Sequence, residues 1–377
     1  IYMSEQLNFA EIDTNEELLE QEEELFDEDL EGETPPSDII AFNELRSCAD
    51  LFRMYKSNQL KIDPDFQRNL VWSISAKSRF IDSLAKQLPI PSMCISLDYK
   101  TDQRLIIDGL QRISSIISFL NEDNWKISNI KDIDEKLRGK TPAQISKDNR
   151  DIFSKIENIT IPVTVLRCDY SKKSHMKYLF TIFHRLNSGG NRLNNQEIRN
   201  CIYEGSFNNL LKALAKHERS QSFFNYEIIP LNKNHSMNRN SYRFQFEELY
   251  LRIFAFSEKL SSYKGKLATF LNDFMDDNKN ISEKKVNQWE EKMHKTWDIV
   301  FNDNRVSKFS KSIIEAILYG VFNNLDNPNL LDPNLFKQKI NELRSDENFS
   351  LIALKEGLAS KEKVTARLNK AKEIFGY

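Results

Sequence analysis

The sequence predicts an α/β (α+β) core with a small mixed sheet, followed by an all-α C-terminal domain. Two short apolar runs, Met93–Leu97 and Arg104–Asp108, flank the polar stretch 98–103 and read as paired strands. Directly after Asp108-Gly109 the apolar spacing becomes helical, with Ile113, Ile116, Ile117 and Leu120 on one stripe. From residue 205 onward the pattern is helical throughout, with candidates at 241–260, 263–276, 283–302, 306–324, 333–344 and 360–375 punctuated by Pro and Asn.

Taken in order, the chain divides into an acidic tail over 1–41, expected to be flexible, an α/β domain over 42–204 and a helical domain over 205–377. In the tail, Thr14-Asn15-Glu16-Glu17 has the form of a capping box, and Leu18, Leu19, Leu25 and Phe26 follow at helical spacing. A short amphipathic acidic helix is one reading; a disordered, solubilising segment is the other. Asn43 is expected to cap a helix carrying Leu45, Ala49, Phe52 and Tyr55. A second helix should open at Ser75, carry Phe80, Ile81, Leu84 and Leu88, and stop at Pro89. Thr160–Arg167 alternates like a strand, and Pro162 places it at an edge or marks its start. Ser171–Leu186 reads as a helix, 187–192 as a glycine-containing loop, and a further helix begins at Asn194, with Asn194 and Glu197 forming a capping-box pair.

A mean hydropathy of -0.56 and a hydrophobic fraction of 40% are those of a water-soluble globular chain. No stretch approaches the roughly 20 apolar residues that span a bilayer, and the N-terminus lacks a signal-peptide layout, so a cytoplasmic location is expected. Cys48, Cys94, Cys168 and Cys201 lie far apart without metal-knuckle spacing and read as reduced thiols. The net charge of -3 conceals an asymmetry: residues 1–45 hold sixteen acidic side chains and no Lys or Arg. The remainder carries 53 basic against 40 acidic residues, a net +13. Such a body favours polyanionic partners, nucleotide or DNA, although lysines solvated on helix faces would produce the same count. The acidic tail would then either cover this basic body in competition with a polyanion or stay apart from it.

Three segments carry candidate chemistry. In Ile106-Ile107-Asp108-Gly109-Leu110-Gln111-Arg112 a strand ends, Gly109 permits a tight turn and a helix starts at once. The first N–H groups of a helix lack internal partners and the helix dipole attracts anions there. Arg112 adds a guanidinium suited to phosphate, and Asp108 can hold a metal ion or position water. An Asp-Gly turn is also a common structural element with no chemistry. The second segment, Asp63–Trp72, is a charged loop bounded by aromatics; Phe66 and Trp72 read as core anchors, whereas Gln67 and Arg68 have no such role. The third runs from Phe183 to Leu193 and on to Asn200: Gly189 and Gly190 allow close backbone approach, and Asn187 and Glu197 offer oxygens of the kind magnesium prefers. Its plain alternative is a helix end followed by a capped helix.

The ordered set FQRNLVW, LPIP, LIIDGLQRISSIISF and FHRLNSGGNRLNNQEIRN resembles the N-terminal domain of GmrSD-type restriction systems, over residues 42–204. That domain resembles ParB and sulfiredoxin, and the helical remainder suits the shorter members, which have no nuclease domain. The resemblance implies nucleotide binding and hydrolysis coupled to control of attack on foreign or modified DNA. The family's Asp-Gly-Gln-Gln-Arg falls on residues 108–112, its Gln-Arg before an aromatic on Gln67, Arg68 and Trp72, and its Asn-x-Gly-Gly on Asn187, Gly189 and Gly190. Leu110 departs from the family's glutamine and has nothing to donate to a phosphate. It also stands where sulfiredoxins have their catalytic cysteine, which argues against that repair chemistry.

These readings assign Asp108, Gln111 and Arg112 as candidate catalytic residues and Gln67, Arg68, Gly109, Arg112, Arg185, Gly189 and Gly190 as the phosphate-binding set. Asn187 and Glu197 are the candidate ligands of an inferred magnesium ion, and the substrate would be a nucleoside triphosphate of unspecified base. No Gly-x-x-x-x-Gly-Lys sequence is present, so an ordinary P-loop is excluded. The alternative is a non-catalytic adaptor that reads DNA or regulates a nuclease. His175, His184, His217, His235 and His294 are scattered and form no nuclease pattern, so cleavage is expected from a nuclease-bearing partner chain. Homo-oligomerisation is left open.

Overall fold

The computed structural model describes residues 35–62, 72–186, 193–224, 244–303, 306–350, 353–354 and 357–376. Residues 1–34 of the tail, with its capping box, and Gln67, Arg68, Asn187, Gly189, Gly190 and His235 lie outside the described residues. Two compact units divide the chain, Glu33–Ile202 and Tyr203–Tyr377.

The first unit is built on a five-stranded mixed sheet in the order β1-β5-β3-β4-β2. Its strands are β1 (Ile40–Ser47), β2 (Leu60–Lys61), β3 (Met93–Asp98), β4 (Arg104–Asp108) and β5 (Thr160–Cys168). β3 and β4 form the expected antiparallel pair, with Ile95 opposite Ile106. Around them are the helices α1 (Cys48–Lys56), α2 (Ile74–Ala85), α3 (Leu110–Leu120), α4 (Pro142–Asp148), α5 (Arg150–Asn158), α6 (Lys173–Leu186) and α7 (Asn195–Ile202). Met93, Ile95, Ile106, Ile161, Val163 and Val165 supply one sheet face to a core that also takes Leu51, Leu84, Ile113, Ile116 and Ile156 from the helices. Side chains alternate across a strand, so Cys94, Ser96, Leu105 and Ile107 face the other way. α6 packs against β4, and Tyr170, just ahead of it, bonds Ser96 Oγ at 2.5 Å.

Several expectations need correction. Residues 40–47 form a strand, not the start of an Asn43-capped helix, because they pair along their length with β5. α1 begins at Cys48, and its cap is Ser47, whose Oγ accepts from Asp50 N at 3.0 Å. β5 is an interior strand, antiparallel to β1 and parallel to β3. Pro162 is tolerated near its start, since the β3 pairing begins one residue later at Val163. α2 ends at Ala85, so Leu88 lies beyond it and is 49% exposed.

The reason α2 stops before Pro89 is local. Gln87 adopts φ +55, Leu88 N bonds Ser83 O at 2.9 Å and Gln87 N bonds Leu84 O at 3.0 Å. This paired closure satisfies the last carbonyls of the helix. α1 ends the same way through Asn58 and α3 through Glu122, each with positive φ and the corresponding pair of bonds. Three of the helices covering the core thus finish on left-handed residues other than glycine.

The second unit is helical: α8 (Ser206–Lys216), α9 (Glu218–Phe223), α10 (Gln245–Lys259), α11 (Leu267–Asp277), α12 (Glu283–Val300), α13 (Lys311–Phe322), α14 (Pro333–Ser345) and α15 (Lys361–Ile374). α10 is buried on all sides from Phe246 to Phe256, the mark of a central helix. Phe254 stacks on Trp289 at 4.7 Å, and Phe207 meets the same indole edge-on at 5.3 Å. Glu248 and Arg252 bury an ion pair at 2.9 Å on that helix. Gly320 lets α13 lie close against α15: a Cβ there would stand 2.9 Å from Ala371 O.

Candidate functional site

The corner predicted to face an anion is formed where β4 hands over to α3. Gly109 is the N-cap of α3 with φ +95, a left-handed conformation that glycine adopts without steric cost. It offers no side-chain cap, and the first helical bond runs from Ile113 N to Gly109 O at 2.9 Å. The amides of Leu110, Gln111 and Arg112 therefore precede the hydrogen-bonded ladder and lie at the positive end of the helix dipole. Gly109 is also fixed by packing: a Cβ there would come within 2.6 Å of Met93 Cγ.

Arg112 returns across this turn. Its Nη2 donates to Asp108 Oδ2 at 2.7 Å, and its Nη1 donates to Pro91 O at 2.5 Å and Ser92 O at 3.2 Å. One guanidinium thus ties the end of β4, the start of α3 and the segment after Pro89 together. The Asp108 side chain is 36% exposed and that of Arg112 is 13% exposed, so solvent reaches the carboxylate more readily than the arginine. Gln111 Oε1 accepts from Trp72 N at 2.8 Å, and the Trp72 indole meets Phe80 edge-on at 5.5 Å. Gln111 accordingly fastens the backbone just ahead of α2. Leu110 packs against the core cluster, which accounts for an apolar residue at that position.

Asp108, Gly109, Gln111 and Arg112 are therefore brought together; of the other candidates, Arg185 and Glu197 are among the described residues. Arg185 lies exposed in the last turn of α6, the helix that packs on β4. Glu197 is 1% exposed, and its Oε2 accepts from Asn194 N at 2.7 Å while Asn194 Oδ1 accepts from Glu197 N at 2.8 Å. That is the expected capping box, and it occupies one oxygen proposed for metal. Among the described residues no group of three His, Cys, Asp or Glu side chains is placed to hold a metal ion. Asp108 fits the lesser demand of magnesium, which takes one or two carboxylates together with substrate phosphates and water.

Cys94 lies opposite Asp108 in the β3–β4 register. Burial, reinforced by the Asp108 charge, pushes its thiol up to about 12, so it is a neutral core residue and not a nucleophile. Sequence reasoning missed the Pro91 and Ser92 carbonyls and Met93. The LPIP motif pointed to the place, but backbone acceptors leave no mark on residue type.

A small mixed sheet covered by helices, with a strand–glycine–helix corner at the end of β4, defines an α+β domain joined to a helical one. Residues 48–204 match the family model for the GmrSD restriction endonuclease N-terminal domain, so this part of the chain is a domain of the GmrSD N-terminal type. No curated protein and no solved structure matches the chain. Among the described residues no helix is long and apolar enough to cross a membrane.

Proposed function

We propose that this chain is a nucleotide-binding subunit of a restriction or anti-phage defence system acting on foreign or modified DNA, and that it hydrolyses a nucleoside triphosphate at the Asp108–Arg112 corner. The observation that carries this reading is the start of α3 at Gly109, an N-cap residue with no side chain to bond the first amides, beside a guanidinium already held in place. The phosphates would lie on the amides of Leu110, Gln111 and Arg112, with Gln67, Arg68 and Arg185 supplying further positive or hydrogen-bonding groups and Gly189-Gly190 close backbone approach. Asp108 would hold magnesium through one carboxylate; Asn187 is a further oxygen donor, and Glu197 would have to release its capping bond to join. Bound magnesium would supply charge neutralisation on the phosphates. The protein's own part would be to orient them and to stabilise developing charge by fixed dipoles and Arg112.

A second reading, a non-catalytic adaptor that reads DNA or regulates a nuclease partner, is favoured by a specific observation: Arg112 is internally neutralised by Asp108, and Leu110 is spent on the core. Phosphate release from each nucleoside triphosphate with magnesium, for the parent and for Arg112→Ala, separates the two. Turnover lost on substitution supports hydrolysis. Binding without turnover supports the adaptor, and neither binding nor turnover rejects the site.

A further inference from the structure

β1 is the terminal strand of the sheet: β5 lies on one side of it, and among the described residues no strand lies on the other. An eight-residue strand with an open edge is a template for pairing, and proteins normally guard such edges with inward charges, prolines or bulges. β1 instead exposes large apolar side chains, Ile40 at 50%, Phe42 at 39% and Leu45 at 69%. Its charged residues, Glu44 and Arg46, are not lone guards, since Arg46 Nε meets Glu44 Oε1 at 2.6 Å and its Nη1 meets Asp50 Oδ2 at 2.6 Å.

We infer that this edge pairs with the same edge of a second copy of the chain, antiparallel about a two-fold axis through Leu45. In such a pairing opposed residues must share a face, so the register can move only in steps of two. Centring on Glu44 or on Arg46 sets like charges directly against each other. Centring on Phe42 sets Ile40 against Glu44, and centring on Asn43 sets Phe42 against Glu44. Centring on Leu45 alone places Leu45 against its own copy, Glu44 against the second copy's arginine at position 46, and Asn43 against the serine at 47. The triplet Glu44-Leu45-Arg46 is thus self-complementary in charge and in apolarity, as a two-fold interface requires. The Glu44–Arg46 pair of each copy would join into an alternating four-charge cluster on one face, with the two leucines covering each other on the opposite face.

The test uses the full chain. Sedimentation equilibrium should return twice the 44.3 kDa chain mass for the parent and the single mass for Leu45→Lys, whose side chain lies in solvent in the isolated fold. Directly opposed residues on antiparallel strands sit within disulfide range. Leu45→Cys should therefore cross-link to a covalent dimer under mild oxidation while Asn43→Cys should not. Glu44→Arg and Arg46→Glu should each be monomeric alone and should form a dimer when mixed. A monomeric parent, a dimer unaffected by Leu45→Lys, no cross-link through Leu45→Cys, or equal cross-linking through Asn43→Cys overturns the proposal. The second of these places the dimer on another surface.

Discussion

Arg112 Nη2 and Asp108 Oδ2 meet at 2.7 Å across the Gly109 turn, so the guanidinium at the start of α3 carries its counter-ion with it. A phosphate approaching the helix must compete with that carboxylate unless a cation bridges the two. Asp108→Asn should therefore tighten nucleoside triphosphate binding measured in a chelator, by about tenfold for a contribution of about 1.4 kcal/mol. With magnesium present the order should reverse, because the variant has lost the carboxylate proposed to hold the ion. Calorimetric titration under both conditions checks this, and an affinity unchanged in both would remove Asp108 from the site.

Gly109→Ala meets two obstacles, a backbone at φ +95 and a Met93 side chain 2.6 Å from the new methyl group. Left-handed backbone strain of this kind costs about 2 kcal/mol. The variant should melt several degrees below the parent, and an unchanged melting temperature would show that the turn relaxes freely.

Burial pushes the thiols of Cys48, Cys94 and Cys168 up to about 12 from 9.0. Each contributes stability that is whole below pH 9 and is lost as pH rises toward 12, because the unfolded chain releases those protons first. Denaturant midpoints should accordingly fall over that interval, and native protein at pH 8 should leave these three cysteines unalkylated by mass spectrometry. Labelling of any of them without unfolding would contradict the packing.

Gly320→Ala would set a methyl group 2.5 Å from Phe375 Cδ2 and 2.9 Å from Ala371 O. Backbone cannot yield as a side-chain tip does, so α13 and α15 must move apart, at a cost of about 1–3 kcal/mol. The loss should appear as faster hydrogen exchange in both helices.

Much of this architecture was legible because its signals are local. β3, β4 and the change of period at Gly109 depend on the alternation of Ile95 and Ile106 and on the stripe of Ile113, Ile116 and Ile117. β1 was not legible, since IAFNELRS alternates weakly, and Asn43 and Ser47 are both plausible caps; only pairing with β5 decides for a strand. α4 was overlooked although Thr141, Pro142 and Gln144 spell its capping box. At the site, residue types pointed to Asp108 and Arg112, whereas the carbonyls of Pro91 and Ser92 that hold the arginine belong to a segment twenty residues earlier.

The proposed site requires phosphates to meet the backbone at the start of α3, and the amide resonances of that turn report on it directly. Chain labelled with nitrogen-15 glutamine and arginine should show the Gln111 and Arg112 amide signals shifting on titration with a magnesium–nucleoside triphosphate, in step with the calorimetric isotherm. Saturating nucleotide that leaves both amides unmoved would contradict it.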